Sequence, residues 1–225
     1  MKRLPIALMA LSIAYIPVAS DAADLYVEGF LGLTFLEEAE YDTDVINATN
    51  FDSDIDYKVG GHVGAALGAA LPVDIHTVRL EGEIAYRRNE VDEVTDADGD
   101  NFDGIDDSTV TALSGMANLH FDYFLTPSLA LSVGGGLGLA RVNADITIDN
   151  AGVDLTIIDD ESDTVLAYQL MGGIRYNVGL SSAITAGYRY FATDDPEYEV
   201  AFSGSNDFES EYASHNVTIG YAFSF

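Results

Sequence analysis

Eight stretches of this chain alternate apolar residues with small or polar ones at a period of two, and that alternation limits what it can fold into. Successive side chains of a strand point to opposite faces, so each stretch reads as a strand with one oily face. In LYVEGFLGLTF, Leu25, Val27, Leu31, Leu33 and Phe35 share a face, with Glu28 and Thr34 on the other. YKVGGHVGAALGAAL sets Tyr57, Val59, Val63 and Leu67 against Lys58 and His62. TVRLEGEIAYR sets Val78, Leu80, Ile84 and Tyr86 against Arg79, Glu81, Glu83 and Arg87, and TALSGMANLHFDYFL sets Leu113, Leu119, Phe121 and Tyr123 against Ser114, Asn118, His120 and Asp122. Four more strands are expected near 129–142, 164–178, 183–192 and 212–225.

The connections alternate in length. Leu71–His76, Leu125–Ser128 and Val178–Ser182 carry Pro or Gly and read as tight turns. The other four are strongly acidic. Residues 36–56 hold eight Asp or Glu, 90–107 nine, 143–163 seven and 192–211 seven, with no Lys or Arg in any of them. Short turns at one end and long acidic loops at the other predict an all-β fold, an eight-stranded antiparallel up-and-down barrel of the transmembrane type. A soluble barrel with its apolar face inward would leave Gly60, Gly64, Gly68, Gly134, Gly136 and Gly138 as its water-facing surface. The opposite orientation puts those small residues and the charges in a narrow lumen, which eight strands leave just wide enough for side chains. Tyr26, Tyr57, Tyr86, Tyr123, Tyr188 and Tyr221 are then expected in aromatic girdles. The expected partner of the apolar face is outer-membrane lipid.

The formal net charge of −29 repels nucleic acid and anionic membrane surfaces, so neither is expected as a partner. The chain has no cysteine, which excludes disulfides and thiol-held metals. At the N-terminus, Lys2 and Arg3, an apolar run from Leu4 to Val18 and Ser20-Asp21-Ala22 have the pattern of a secretory signal peptide. Cleavage is expected after Ala22, leaving 23–225 as the barrel.

The chain finishes on TIGYAFSF, with Thr218, Gly220, Phe223 and Phe225 at the spacing of an assembly signal. Together with SGMANLHFDYFLTPSLALSVGGGLGLARV and AYQLMGGIRYNVGLSSAITAGYRYF, it resembles the Gram-negative outer-membrane β-barrel family. That family includes opacity-type adhesins and alphaproteobacterial surface antigens. The resemblance implies an outer-membrane location and an interaction with the barrel assembly machinery. It implies no particular activity.

Strand parity directs Glu28, Lys58, Arg79, Glu81, Glu83, Arg87, Asp122, Arg175 and Arg189 into the lumen, where mutual pairing is expected because an unpaired buried charge is costly. Glu28, Arg79, Glu81, Asp122 and Arg175 are expected to meet near the short turns. Asp96, Asp98, Asp100 and Asp107 fall at positions 1, 3, 5 and 12 of a calcium-loop pattern. Asn101 replaces the Gly needed at position 6, so a solvated acidic loop is the expectation, with weak binding of divalent cations by the loops together. His62 and His120 are expected inside and His76 in a turn. His215 is expected near the rim, where Ser214 faces the opposite way. GGGLGLA at 134–140 reads as a strand, since its glycines alternate with leucines and no helix follows.

The expected role is structural and surface-facing, with the loops as the interaction element toward a host or surface ligand. No catalysis and no cofactor are expected. A narrow porin, favoured by the small lumen residues, is the alternative, and a rim enzyme using His215 is a more distant one.

Overall fold

The computed structural model describes residues 23–37, 39–43, 51–95, 108–150, 153–194, 197–199, 207–209 and 212–225. Twelve strands run along them: β1 (Asp24–Leu36), β2 (Ala39–Thr43), β3 (Phe51–Tyr57), β4 (Gly60–Val73), β5 (His76–Thr95), β6 (Thr109–Phe124), β7 (Leu129–Asn150), β8 (Val153–Asn177), β9 (Ser182–Thr193), β10 (Glu197–Glu199), β11 (Asp207–Glu209) and β12 (Ala213–Ser224). Eight of them, β1, β4 to β9 and β12, pair antiparallel in a closed ring. The ring is sealed by β12 against β1, from Tyr26↔Ser224 to Leu36↔Ser214. Closure matters because hydrocarbon offers no hydrogen bonds to an open strand edge. This is the all-β, eight-stranded antiparallel barrel that the alternation predicts.

The short connections lie where expected. Val73 pairs with His76 across a two-residue turn whose Asp74 adopts φ 55, a left-handed conformation that Asp tolerates better than most residues. In the turn between β6 and β7, the Thr126 hydroxyl accepts hydrogen bonds from the amides of Ser128 (3.3 Å) and Leu129 (3.0 Å).

At the other end, the acidic segments are less loop-like than their composition suggests. β7 and β8 continue past the membrane-facing leucines as a paired hairpin to Asn150↔Val153. β5 runs on to Thr95 and pairs there with β3, which in turn pairs with β2. The acids of 143–163 alternate with Ile146, Ile148, Val153 and Leu155, so the period-two pattern persists beneath the charge. Charge density alone had marked these residues as loops. Residues 1–22 and 96–107, which carry the signal-peptide and calcium-loop readings, lie outside the described residues.

The two faces are chemically opposite. Leu31, Leu67, Leu119, Leu137, Leu166, Leu170 and Ile219 are exposed on the outer surface, while Thr34, Arg79, Arg87, Asn89, Asp122 and Gln169 are buried inside. Along β1 the outward apolar residues extend from Leu25 to Phe35, which at a strand tilt of 35–45° matches an apolar band roughly 25 Å tall. Tyr123, Tyr176 and Tyr221 flank it near the short turns, with Tyr86, Tyr168 and Tyr188 toward the hairpins. Tyr26 departs from the girdle expectation: it is fully buried in the lumen. Its even number already put it on the face of Glu28, and parity prevails over its place near a strand end.

The lumen glycines have a common role. Gly68 is paired with Tyr26 and Gly64 with Phe30, and a side chain at either glycine would run into the opposing ring. Gly134, Gly136 and Gly138 stand likewise opposite His120, Asn118 and Met116. These glycines leave room for large inward neighbours, so they do not open a passage.

Candidate functional site

The polar residues of the lumen form two layers. The first, near the short turns, centres on Arg79 of β5, which is 3% exposed. Its Nε and Nη2 donate to Oδ2 and Oδ1 of Asp122 on β6, at 2.8 and 3.3 Å. This is the fork geometry in which a guanidinium grips both carboxylate oxygens. Nη2 also donates to Ser132 Oγ (3.1 Å), and Nη1 donates to Glu81 and to Tyr26 Oη (3.0 Å). The Tyr26 hydroxyl donates to Glu81, whose other oxygen lies 3.1 Å from His120 Nε2. Glu28 accepts from Thr185 Oγ1 (2.6 Å) and lies 3.8 Å from Arg175 and 3.9 Å from Arg79. Below this layer, Tyr26 packs on Ala183, Ala222 and Ala70 and fills the lumen at its short-turn end.

The second layer centres on Glu83. Arg189 donates to Oε1 (2.5 Å), Asn118 to Oε2 (3.0 Å) and Gln169 to Oε1 (3.4 Å). Gln169 also donates to Asn118 Oδ1 at 2.7 Å. The Arg189 guanidinium lies 4.6 Å from the Phe30 ring centroid, a cation–π contact. A cavity of about 60 Å3 touches both layers, with Glu28, Arg79, Glu81, Glu83, His120 and Ser132 in its lining. By volume it has room for about four water molecules.

The structure therefore brings together Glu28, Arg79, Glu81, Asp122 and Arg175, and separately Glu83 and Arg189. Two of the nine expected lumen charges behave otherwise. Lys58 is not in the lumen: it precedes β4, is half-exposed, and faces Asp92 at 3.9 Å. Parity had been carried past the first residue of the strand, where it no longer sets direction. Arg87 does face inward and is fully buried, yet it pairs with no carboxylate among the described residues. Without Lys58, the described residues place four carboxylates, Glu28, Glu81, Glu83 and Asp122, and four guanidiniums, Arg79, Arg87, Arg175 and Arg189, in the lumen. The network also recruits Tyr26, Ser132, Gln169 and Thr185, which the reading by charge passed over. Their inward parity was the available signal.

At the hairpin-side rim, His215 faces outward between two partners. Its Nε2 lies 2.7 Å from Glu37, and its Nδ1 is hydrogen-bonded with the Tyr188 hydroxyl. Ser214 points into the barrel and is bonded by Asn216 Nδ2 at 3.2 Å. His215 sits in ladders on both sides, opposite Phe35 and Tyr190. No group of three or more His, Asp or Glu suited to a metal ion occurs among the described residues.

Residues 5–225 match the outer membrane protein β-barrel domain. The chain belongs to that family. It is an eight-stranded β-barrel of the cell outer membrane. No curated protein matches it in sequence. Among solved structures it is similar to Neisserial surface protein A, at 15% identity over 91% of this chain and 100% of that one, with a TM-score of 0.49. It is similar to OprG from Pseudomonas aeruginosa at 13% identity, over 90% and 96% of the two chains, with a TM-score of 0.49. For the outer membrane protease OmpT from Escherichia coli the identity is 10%, over 90% and 96%, with a TM-score of 0.49. None of these likenesses carries an argument about activity.

Proposed function

We propose that the barrel is a non-conducting, surface-facing element of the outer membrane whose acidic hairpins are its means of interaction. One observation carries this reading: Tyr26, Arg79, Glu81 and Asp122, all buried and mutually bonded, close the lumen at its short-turn end. A conducting filter needs charges that ions can approach and leave. These are spent on one another. The strand hairpins at the opposite end, which project beyond the apolar band and carry most of the acidic residues, are the part left to meet a ligand, a host surface or divalent cations. The reading assigns no catalysis to His215, because its hydroxyl partner is a tyrosine and Ser214 lies on the other face of the sheet. The N-terminal signal peptide and recognition of Thr218, Gly220, Phe223 and Phe225 by the assembly machinery belong to the same proposal.

The test is single-channel conductance of the refolded barrel in a planar bilayer, with and without calcium. Silence from correctly folded protein is expected. Discrete steps would mean that the charged layers open, and the narrow-porin reading would replace this one.

A further inference from the structure

Arg79 and Arg87 lie on the same strand, face the same lumen and are both buried, yet one guanidinium is filled and the other is not. Arg79 presents Nε and Nη2 side by side to the two oxygens of Asp122. In Arg87 those same two atoms donate to no acceptor among the described residues. Its Nη1 alone is bonded, to Ser114 Oγ at 2.9 Å. Phe191 covers its face at 3.8 Å, so the guanidinium plane is held while its fork is left open. Glu83, four residues away on the same face, is already held by Arg189, Asn118 and Gln169.

His62, its cross-strand partner, has neither ring nitrogen bonded among the described residues. Tyr212, in the cluster built on Phe191, is buried as well. A buried charge without a counterion is expensive, and an unsatisfied buried donor calls for a physical explanation. Among the described residues, each of the four lumen carboxylates is already held by another guanidinium: Glu28, Glu81 and Asp122 by Arg79, and Glu83 by Arg189.

We propose that the Nε–Nη2 fork of Arg87 is a binding site for a small oxyanion, a carboxylate or a phosphate, reached from the hairpin end of the lumen. Two parallel N–H donors fit two oxygens of one such group as they fit Asp122 at Arg79. Tyr26 and the Arg79 layer fill the other end, and the hairpin end is packed by Val110, Val142, Phe191 and Tyr212, so entry requires that apolar cluster to part. The ligand is small because Arg87 is fully enclosed. The proposal goes beyond the surface role, and it stands or falls independently of conductance.

The experiment is an NMR titration of the arginine Nε–H signals of the whole barrel in detergent micelles, at constant pH and ionic strength. Sodium formate is the probe in one arm and inorganic phosphate in the other. The Arg87 signal is expected to move and saturate, while the Arg79 signal, already on Asp122, stays in place. A response to formate alone identifies a carboxylate site, and a response to phosphate extends it to phosphate groups. In parallel, the effective anion raises the unfolding temperature of the native chain by a few degrees, as expected for a ligand bound only by the folded state. That rise is lost in Arg87→Lys, which keeps the charge without the fork, and kept in Arg141→Gln, on the outer surface. An Arg87 signal unmoved by either anion would overturn the proposal. So would equal movement of Arg79 and Arg87, or an undiminished thermal shift in Arg87→Lys.

Discussion

At the residue scale, the barrel depends on partners more than on charge. Asp122 is 1% exposed and fills the fork of Arg79. Removing one member of a buried pair costs about 3 to 5 kcal/mol when the other is left with no partner. Arg79 would keep Glu81, so Asp122→Ala is expected to lower the unfolding free energy, read by urea titration, by less than that. The double change Arg79→Met with Asp122→Leu is expected to be no more stable than Asp122→Ala, because it takes the guanidinium from Glu81 as well as from Asp122. Recovery of most of the loss would mean that Glu81 does not depend on Arg79. Glycines supply a second contrast. Gly136 faces the lumen against Asn118, so Gly136→Val forces overpacking at about 1 to 3 kcal/mol. Gly115 faces outward with open space around its Cα, and Gly115→Val should leave stability unchanged or raise it slightly. Urea titration of the two variants reads both effects.

Strands make the lesson of legibility concrete. Parity gave the face of the charged residues along the described middle of the barrel strands, which is why Glu28, Arg79, Glu81, Glu83, Asp122, Arg175 and Arg189 lie inward where the alternation directs them. It failed for Lys58, which precedes its strand, and it was overlooked for Tyr26. What parity cannot give is height and partner. Arg79 and Arg87 are equivalent by sequence pattern, and only the register of β5 against β6 shows that one meets Asp122 and the other Ser114. Strand ends were hidden as well, because acidic residues masked a continuing alternation in β7 and β8. From this follows a prediction for the element. Beyond Asp145, which pairs with Thr109, their outer hairpin pairs only with itself among the described residues, so replacing residues 146–159 by a short Asn-Gly turn should leave the barrel folded and its gel mobility still heat-sensitive. Loss of folding would mean that the projection supports the ring. At the end of β12, Phe225 is 70% exposed, and its amide donates to Leu25 at 3.0 Å. Phe225→Ala is expected to reduce the yield of assembled barrel in cells and to leave the urea midpoint of assembled protein nearly unchanged. An equal fall in both would make Phe225 a stability residue rather than a signal.

For the whole molecule, everything rests on which face meets which solvent. The outer face is leucine, valine and aromatic; the inner face is a bonded set of charges and amides with glycines beneath the larger side chains. Lipid outside and a closed interior account for both, and leave the acidic hairpins as the part of the chain that water and partners reach. The native absence of cysteine makes this directly measurable. A nitroxide placed at single cysteines from Leu113 to Leu119 on β6, in the barrel reconstituted in lipid, reports its solvent at each step. Positions 113, 115, 117 and 119 are predicted to collide freely with oxygen, which concentrates in lipid. Positions 114, 116 and 118 are predicted to collide weakly with both oxygen and a water-soluble nickel chelate. Strong collision with the chelate at 114, 116 and 118 would reveal a water-filled lumen, and the account of a closed barrel would be wrong.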